Sequence, residues 1–229
     1  MNKRLKLISE YIENGKGIVD VGTDHGYLPV FLAENGYDGN IIASDINVDP
    51  LSKAVKNAAS AGVSDKISFL LCDGLRKCPP DKVDTIVIAG MGGDMILKII
   101  EETEWCMSPK YKLILQPMSK CEILRYWLVY NGFEISNELL VEENGTIYQI
   151  MIVKFGGYTA LNDAELYTGK YELSENKNLY CKQFNAVFNR FERAISEIKK
   201  GELIPEYRLK LFEEILTQLK EMRVKYDIN

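Results

Sequence analysis

From Gly17 onward, short runs rich in valine and isoleucine alternate with stretches of helical periodicity. This alternation is typical of βαβ units, in which helices connect the parallel strands of one sheet and cover its faces. The pattern predicts five parallel strands, at residues 18–21, 41–44, 67–71, 85–89 and 113–116. Helices are predicted between them, at residues 28–34, 50–61, 94–102 and 121–130. A leading amphipathic helix at residues 4–12 is expected to pack against the sheet.

The chain changes character after the fifth predicted helix. Two extended runs, 133–141 and 147–155, have Glu142, Glu143, Asn144 and Gly145 between them. Asn-Gly between strand-forming segments is a strong hairpin signal, because both residues tolerate positive φ. Five parallel strands closed by an antiparallel hairpin are the topology of the Rossmann-like class I methyltransferase fold, and ordinary dehydrogenase domains lack that hairpin. A mostly parallel, seven-stranded α/β sheet is therefore expected for residues 1–157.

Residues 158–229 are expected to form a helical C-terminal domain. Apolar side chains recur at spacings of three and four over residues 180–198, and again over residues 209–226. Gly201 and Pro205 interrupt the pattern between these runs, since proline cannot continue a helix. These features predict an antiparallel coiled-coil hairpin whose aromatic residues form an internal seam.

The charge distribution limits the partners that the chain can take. The 229 residues carry a net charge of -5, and residues 160–229 hold 12 basic and 12 acidic side chains, so the excess acid lies before them. A negative net charge disfavours nucleic acid, because phosphate contacts come from clustered lysine and arginine. The balanced C-terminal totals remain compatible with a local basic face.

Hydropathy and cysteine usage indicate a reduced, non-membrane environment. No run of about 18 apolar residues is present, and basic residues interrupt the apolar ones at the N-terminus, so neither a membrane span nor secretion is expected. The five cysteines form no C-x-x-C pair and share the chain with one histidine, which disfavours disulfides and metal sites. We expect a cytoplasmic protein without a metal ion, and a monomer is favoured.

The first predicted strand ends in Asp20-Val21-Gly22-Thr23-Asp24-His25-Gly26, at the sheet edge where α/β folds bind ligands. Gly22 and Gly26 allow close approach of the backbone to a ligand. Asp24 occupies the second glycine position of a dinucleotide-binding G-x-G-x-x-G motif, where a pyrophosphate would meet a carboxylate. This argues against NAD and favours a cofactor with a cationic sulfonium and an amino-acid tail, which Asp20 and Asp24 can receive. The alternative is a tight turn in which Asp24 caps the next helix.

Two further acids follow the second and third predicted strands. Asp45 lies 25 residues after Asp20, where a carboxylate can accept both ribose hydroxyl groups of an adenosine. Asp73, in Cys72-Asp73-Gly74, is placed to accept from the adenine amino group, while apolar neighbours such as Ile46 cover the ring. One acid after a strand is common, but three at consecutive strand ends indicate an adenosine site.

The fourth and fifth predicted strands end where a reacting group would lie. Ala89-Gly90-Met91-Gly92-Gly93 leaves room for a planar base, although a flexible turn that begins a helix explains the same residues. Gln116-Pro117-Met118 either contacts the substrate or forms a proline-punctuated loop. No Asn/Asp-Pro-Pro-aromatic motif follows the fourth strand, so methylation of an exocyclic amino group in the common DNA-enzyme manner is not expected. Cys78 precedes that strand, the wrong place for a nucleophile that attacks pyrimidine C5.

Three segments together resemble the bacterial tRNA adenine-N1-methyltransferases that modify a D-arm adenine. They are Gly22-Thr23-Asp24-His25-Gly26-Tyr27-Leu28-Pro29, Ala89-Gly90-Met91-Gly92-Gly93 and the Gln116-Pro117 turn. Those enzymes also carry a helical C-terminal hairpin, so the resemblance extends through both predicted domains. This chain departs from the family at Met118, where asparagine is frequent, and at Asp49-Pro50, where Gly-Pro is common.

The resemblance implies S-adenosyl-L-methionine as cofactor, tRNA as partner and methyl transfer to N1 of an adenine. Candidate substrate contacts are Tyr27, Gln116 and Pro117, although Tyr27 is equally suited to cover the methionine moiety. The expected cofactor contacts come from the ends of the first four strands: Asp20, Gly22, Asp24, His25, Gly26, Tyr27, Asp45, Ile46, Cys72, Asp73, Gly74, Ala89, Gly90, Met91 and Gly92.

The implied chemistry needs little acid–base catalysis. N1 of adenine has an in-plane lone pair, so the enzyme's task is to align the base and to free N1 from a pairing partner. Asp24 and His25 are the candidate catalytic residues. Asp24 would accept from the adenine amino group or balance the cationic product, whereas His25 alternatively only orients the loop.

Two other functions fit these residues. A methyltransferase for a small molecule or a protein agrees better with the acidic net charge, but it leaves the helical hairpin without a task. A non-catalytic module that binds an adenosine-containing ligand would use the hairpin as a protein-interaction arm. An assay for methylation of bulk tRNA distinguishes these two alternatives from a tRNA methyltransferase, because only the latter is expected to methylate tRNA.

Overall fold

A computed structural model of the protein describes residues 1–200 and 206–228. Its seven strands are β1 (Ile18–Val21), β2 (Ile41–Asp45), β3 (Ile67–Leu71), β4 (Thr85–Gly92), β5 (Lys112–Ser119), β6 (Phe133–Glu143) and β7 (Thr146–Phe155). They form one sheet in the order β3-β2-β1-β4-β5-β7-β6. The first five strands run parallel, and β7 lies antiparallel between β5 and β6. The predicted class I methyltransferase topology is confirmed.

Helices cover both faces of this sheet. They are α1 (Lys3–Glu10), α2 (Tyr27–Glu34), α3 (Val48–Ser60), α4 (Gly93–Glu101), α5 (Cys121–Tyr130), α6 (Asp163–Thr168), α7 (Lys177–Lys200) and α8 (Glu206–Lys225). Successive residues of a strand point to opposite faces. Val87 accordingly packs in the core beneath α1, α2 and α3, while Ile86 and Ile88 pack in the core beneath α4 and α5.

The helices α7 and α8, called the C-terminal hairpin below, are antiparallel. Asn185 near the start of α7 accepts a 2.6 Å hydrogen bond from Arg223 near the end of α8, and Lys199 at the other end pairs with Glu213 at 2.6 Å. The predicted breakers Gly201 and Pro205 lie outside the described residues.

Two features of the C-terminal region differ from the sequence prediction. The hairpin seam is not satisfied within itself, because Leu140 of β6 and Ala164 of α6 belong to the same buried cluster. The short helix α6 was absent from the prediction, and it begins with a capping box in which Asn162 and Glu165 each bond the other's backbone N–H. The C-terminal helices therefore pack directly on the edge of the catalytic sheet.

A fully buried ion pair fixes that packing. Arg125 of α5 donates to Glu138 of β6 at 2.6 Å, to the Gln149 side chain of β7 and to the carbonyl of Leu166 in α6 at 2.8 Å. The other carboxylate oxygen of Glu138 accepts from the backbone N–H of Lys170 at 2.9 Å. One arginine thus joins the sheet, α5 and the segment that leads to the hairpin.

Candidate active site

A cavity of about 290 Å³ opens at the carboxyl edge of the sheet, between α1 and the ends of β1 and β4. Parallel strands place their C-terminal loops at this one edge, so residues distant in sequence meet there. The cavity is lined by Asn2, Arg4, Leu5, Asp20, Gly22, Thr23, Asp24, Tyr27, Leu28, Ala89 and Gly90. Predicted residues of the first and fourth strands therefore face a single space.

The loop after β1 holds a buried carboxylate. The hydroxyl of Thr23 donates to Asp20 at 2.6 Å, and the backbone N–H groups of Gly22 and Thr23 donate to the carbonyl of Ser44 at 2.8 and 2.9 Å. Burial raises the pKa of Asp20 to about 6; Asp45 adds to the rise and the Thr23 hydrogen bond opposes it. A cationic ligand group beside Asp20 would favour the ionised carboxylate.

Backbone geometry explains the glycine at position 22. Gly22 has φ +69°, and a Cβ built there would lie 2.1 Å from Cε of Met91. Asp24 also has positive φ, +50°, which is unusual for a residue with a side chain. The N-cap of α2 is Gly26, and no side chain caps that helix, so the alternative role of Asp24 as a helix cap is not supported.

Asp45, buried at the end of β2, lies against the same loop. One carboxylate oxygen accepts from the backbone N–H of Asp24 at 3.2 Å, and the other accepts from Asn47 at 2.9 Å. Its carbonyl accepts from the backbone N–H of Cys72 at 2.9 Å, which brings the end of β3 alongside. The two donors fix the carboxylate and leave lone pairs for ribose hydroxyl groups.

The predicted adenine residues lie at the exposed ends of β2 and β3. Ile46 is 59% exposed and Leu71 is 44% exposed, so apolar surface is present for a ring to cover. Asp73 is exposed and pairs with Arg76 at 3.1 Å. Gly74 accepts a weak 3.4 Å hydrogen bond from Ser44, which places it beside β2. The adenine role of these residues stays a prediction.

His25 and Tyr27 form a stacked pair with ring centroids 5.3 Å apart and planes 13° apart. Nε2 of His25 lies 3.7 Å from a carboxylate oxygen of Asp24. Tyr27 is half exposed and lines the cavity, whereas His25 is not among the lining residues. The geometry is compatible with His25 as an orienting residue and with Tyr27 as the aromatic surface that meets a ligand.

Gln116 and Pro117 are buried at the end of β5. Gln116 accepts from the backbone N–H of Gly90 at 3.0 Å and donates to the carbonyl of Pro117 at 2.9 Å. Gly90 has φ +81° and nothing within 4 Å of a Cβ position, so its backbone turns toward open space. Gln116 thus holds the end of β4, residues 89–92, in place. Substrate contact by Gln116 and Pro117 stays a prediction.

Sequence reasoning missed Arg4. Its guanidinium lies 4.9 Å above the Tyr148 ring, it lines the cavity, and its Nε is buried without a hydrogen-bond partner in the described part of the chain. A buried donor of this kind is costly unless a ligand accepts from it. Nothing in the sequence separates Arg4 from the exposed lysines around it in α1, so only the fold could reveal it.

These residues fit S-adenosyl-L-methionine. Its methionine part carries an ammonium group, for which Asp20 is suited, and a carboxylate, which the orphaned donor of Arg4 would satisfy. Asp45 is suited to the ribose.

Burial raises the pKa of Cys78 to about 12, so this thiol is protonated and is no competing nucleophile.

None of the helices within 1–200 and 206–228 has the length and apolar character needed to cross a membrane. Over the same ranges, there is no group of three or more His, Cys, Asp or Glu side chains that could hold a metal ion.

The fold and the site define a class I methyltransferase, and residues 1–151 match the family model described as a methyltransferase domain. The tRNA (adenine(22)-N(1))-methyltransferase of Bacillus subtilis is 29% identical over 218 residues, which are 93% of this chain and 92% of that protein. A Streptococcus pneumoniae protein solved in complex with S-adenosyl-L-methionine is 32% identical, with 96% and 98% of the two chains covered and a TM-score of 0.81. The chain belongs to the family of bacterial tRNA (adenine(22)-N(1))-methyltransferases.

The likeness includes the C-terminal hairpin. The crystal structure of the Bacillus subtilis M1A22 tRNA methyltransferase superposes with a TM-score of 0.84 at 27% identity. The superposition covers 96% of this chain and 97% of that one, so it extends over the sheet and over helices α7 and α8.

Proposed function

We propose that this enzyme transfers the methyl group of S-adenosyl-L-methionine to N1 of a D-arm adenine in tRNA. The observation that carries the proposal is the cavity in which Asp20, Asp24 and Arg4, whose buried Nε has no partner among the described residues, converge. Opposite charges on one small cavity suit a ligand with both an ammonium and a carboxylate group. Family membership supplies the acceptor, and the same proposal places the enzyme in the cytoplasm with its tRNA.

When bound, S-adenosyl-L-methionine supplies an electrophilic methyl group on a sulfonium sulfur. N1 of adenine attacks with its own lone pair, so the chain needs no general base to create the nucleophile. The residues instead hold the cofactor and present a space beside Gly90 for an extruded base. Product adenine carries a positive charge, and in this proposal the exposed carboxylate of Asp24 balances it.

Contacts to the tRNA backbone are assigned to the C-terminal hairpin. Lys210 and Lys220 on α8 are exposed, and within residues 1–200 and 206–228 they form no ion pair. Exposed lysines bind phosphates through charge, which suits a substrate much larger than the cofactor cavity.

Nucleoside mass spectrometry tests the proposal. Purified protein is incubated with S-adenosyl-L-methionine and either bulk tRNA, free nucleosides or total protein. We expect 1-methyladenosine in the tRNA digest alone. A matched transcript with guanine in place of the target adenine serves as the control and should remain unmethylated. Methylation of nucleosides or protein instead of tRNA would favour the small-molecule or protein enzyme, and binding of the cofactor without any turnover would favour the non-catalytic module.

A further inference from the structure

A second cavity, also of about 290 Å³, lies where the catalytic domain meets the C-terminal hairpin. It is lined by one side chain each from α5, α6 and α8 and by three from α7: Glu122, Tyr167, Phe212, Arg190, Phe191 and Ala194. Helix α5 begins directly after β5, so Glu122 in its first turn lies at the edge of the sheet that holds the active site. The volume is at the lower end for small-ligand sites and suits one ring system.

Three of the six residues that line the cavity are aromatic. Phe191 is buried and meets Tyr167 edge-on, with centroids 4.9 Å apart, and meets Phe212 edge-on at 5.3 Å. Tyr167 and Phe212 are only half buried. The guanidinium of Arg190 lies 5.6 Å from the Tyr167 ring and is exposed. Phe191 therefore belongs to the seam, whereas the other rings and Arg190 keep surface for a ligand.

Two charged side chains, Glu122 and Arg190, line this cavity. Across the described parts of the chain, neither Glu122 nor Arg190 forms an ion pair. Burial raises the pKa of Tyr167, Glu122 adds to the rise and Arg190 opposes it, so the phenol stays a neutral donor between the two charges. An unpaired carboxylate, an unpaired guanidinium and half-exposed rings in one recess have the composition of a base-binding site.

We infer that this cavity binds an unpaired guanine of the RNA substrate while the target adenine occupies the active site. Single-stranded bases are recognised by stacking on aromatic rings and guanidinium planes, which Tyr167 and Arg190 provide. Guanine offers two adjacent donors, N1–H and its 2-amino group, to one carboxylate, which matches Glu122. The inference rests on the proposed tRNA substrate and names a second contact with it.

Two variants impair the proposed site without changing a residue of the cofactor cavity. Arg190→Gln removes the cation on which the base stacks. Ala194→Leu fills the recess and leaves every charge in place. Each is expected to lower kcat/KM for tRNA about tenfold, the loss of one stacked base, with unchanged affinity for S-adenosyl-L-methionine. Arg193→Gln is the matched control, because Arg193 is exposed on the same helix and donates to its own helix at Asn189. Equal kcat/KM in all three variants and wild type would overturn the inference.

Inosine substitution identifies the base. Inosine lacks the 2-amino group, and each unpaired guanosine of the transcript is replaced by inosine in turn. One replacement is expected to lower kcat/KM about fivefold with wild type and to have no further effect with Glu122→Gln. Additive effects at every guanosine would overturn the guanine assignment. If wild type methylates tRNA and every variant does so equally well, this site alone is refuted. If wild type does not methylate tRNA, the proposed function and this site are refuted together.

Discussion

The backbone N–H of Asp24 donates a 3.2 Å hydrogen bond to the carboxylate of Asp45. This bond joins the loop after β1 to the end of β2, two segments that helix α2 separates along the chain. The side chain of Asp45 therefore positions the Asp24 loop, and we propose that it also accepts the ribose hydroxyl groups. Its second oxygen is fixed by Asn47, so the carboxylate has little freedom to reorient.

Asp45→Ala is expected to weaken binding of S-adenosyl-L-methionine at least tenfold, roughly 1.4 kcal/mol, because it removes the ribose acceptor and the support of the Asp24 loop. Isothermal titration calorimetry measures the affinity. Asp49→Ala is the control, since Asp49 is an exposed acid in the first turn of α3. Unchanged affinity for Asp45→Ala would remove this residue from the site.

Asp24→Asn is expected to slow single-turnover methylation at least tenfold while the free energy of unfolding changes by less than about 0.5 kcal/mol. Asparagine tolerates the positive φ of this position, so the substitution removes the charge without backbone strain. Asp24→Gly is the companion variant, and we expect it to methylate as slowly as Asp24→Asn and to be no less stable than Asp24→Asn. A rate within about twofold of wild type would assign Asp24 to loop geometry alone.

Arg4→Gln is expected to weaken binding of S-adenosylhomocysteine about tenfold, because the ligand carboxylate loses a charged donor. The same variant should bind 5′-methylthioadenosine, which lacks the amino-acid part, as wild type does. Lys6→Gln is the control, an exposed cation on the same helix. Equal losses for both ligands would show that Arg4 acts through packing on Tyr148 instead.

Asp20 should give stability a measurable pH dependence. Its folded pKa of about 6 exceeds the unfolded value near 3.9, so the folded state binds more protons between these values. The contribution of Asp20 to the free energy of unfolding is fully present below pH 4 and is lost as pH rises through 6. Between pH 4 and 7, the free energy of unfolding of Asp20→Asn should rise relative to that of wild type by an amount on the order of 2 kcal/mol. Urea unfolding at each pH measures this difference. Parallel curves for the two proteins would contradict the shift; exposed Asp49→Asn is the control.

Local sequence patterns predicted most of the sheet and the strand-end acids. Strand β1 was found because Ile18, Val19 and Val21 form an apolar run that ends in turn residues, and the position of Asp20 and Asp45 followed from strand order alone. The capping box Asn162-x-x-Glu165 is also a local signal, so α6 was open to prediction from the sequence.

Other features depend on contacts distant in sequence. Arg125 lies in an amphipathic helix where an exposed position is the usual expectation for arginine, yet it is buried against Glu138 and Gln149. The prediction that the hairpin buries its apolar seam internally was wrong for a related reason. Helical spacing cannot reveal that Leu140 of a strand completes the buried cluster. The partners of a side chain are set by tertiary packing, which periodicity does not encode.

The exposed lysines of α8 should set the salt dependence of tRNA binding. The shared seam makes deletion of the hairpin a poor test, because loss of α7 and α8 would uncover Leu140 and destabilise the sheet edge. Charge removal at Lys210 and Lys220 avoids that problem, since both side chains are exposed. The double variant Lys210→Gln/Lys220→Gln should flatten the slope of log KM for tRNA against log salt by up to about 2, one for each phosphate contact.

The matched control for this pair is Lys53→Gln/Lys56→Gln, which removes the same charge from an exposed face of α3. We expect its salt slope to equal that of wild type, and cofactor affinity to be unchanged in both double variants. Equal flattening in the two would mean that net charge steers the tRNA without a defined contact, because screened long-range attraction does not depend on position. An unchanged slope for the α8 variant would remove Lys210 and Lys220 from the tRNA surface and leave phosphate contacts to other residues.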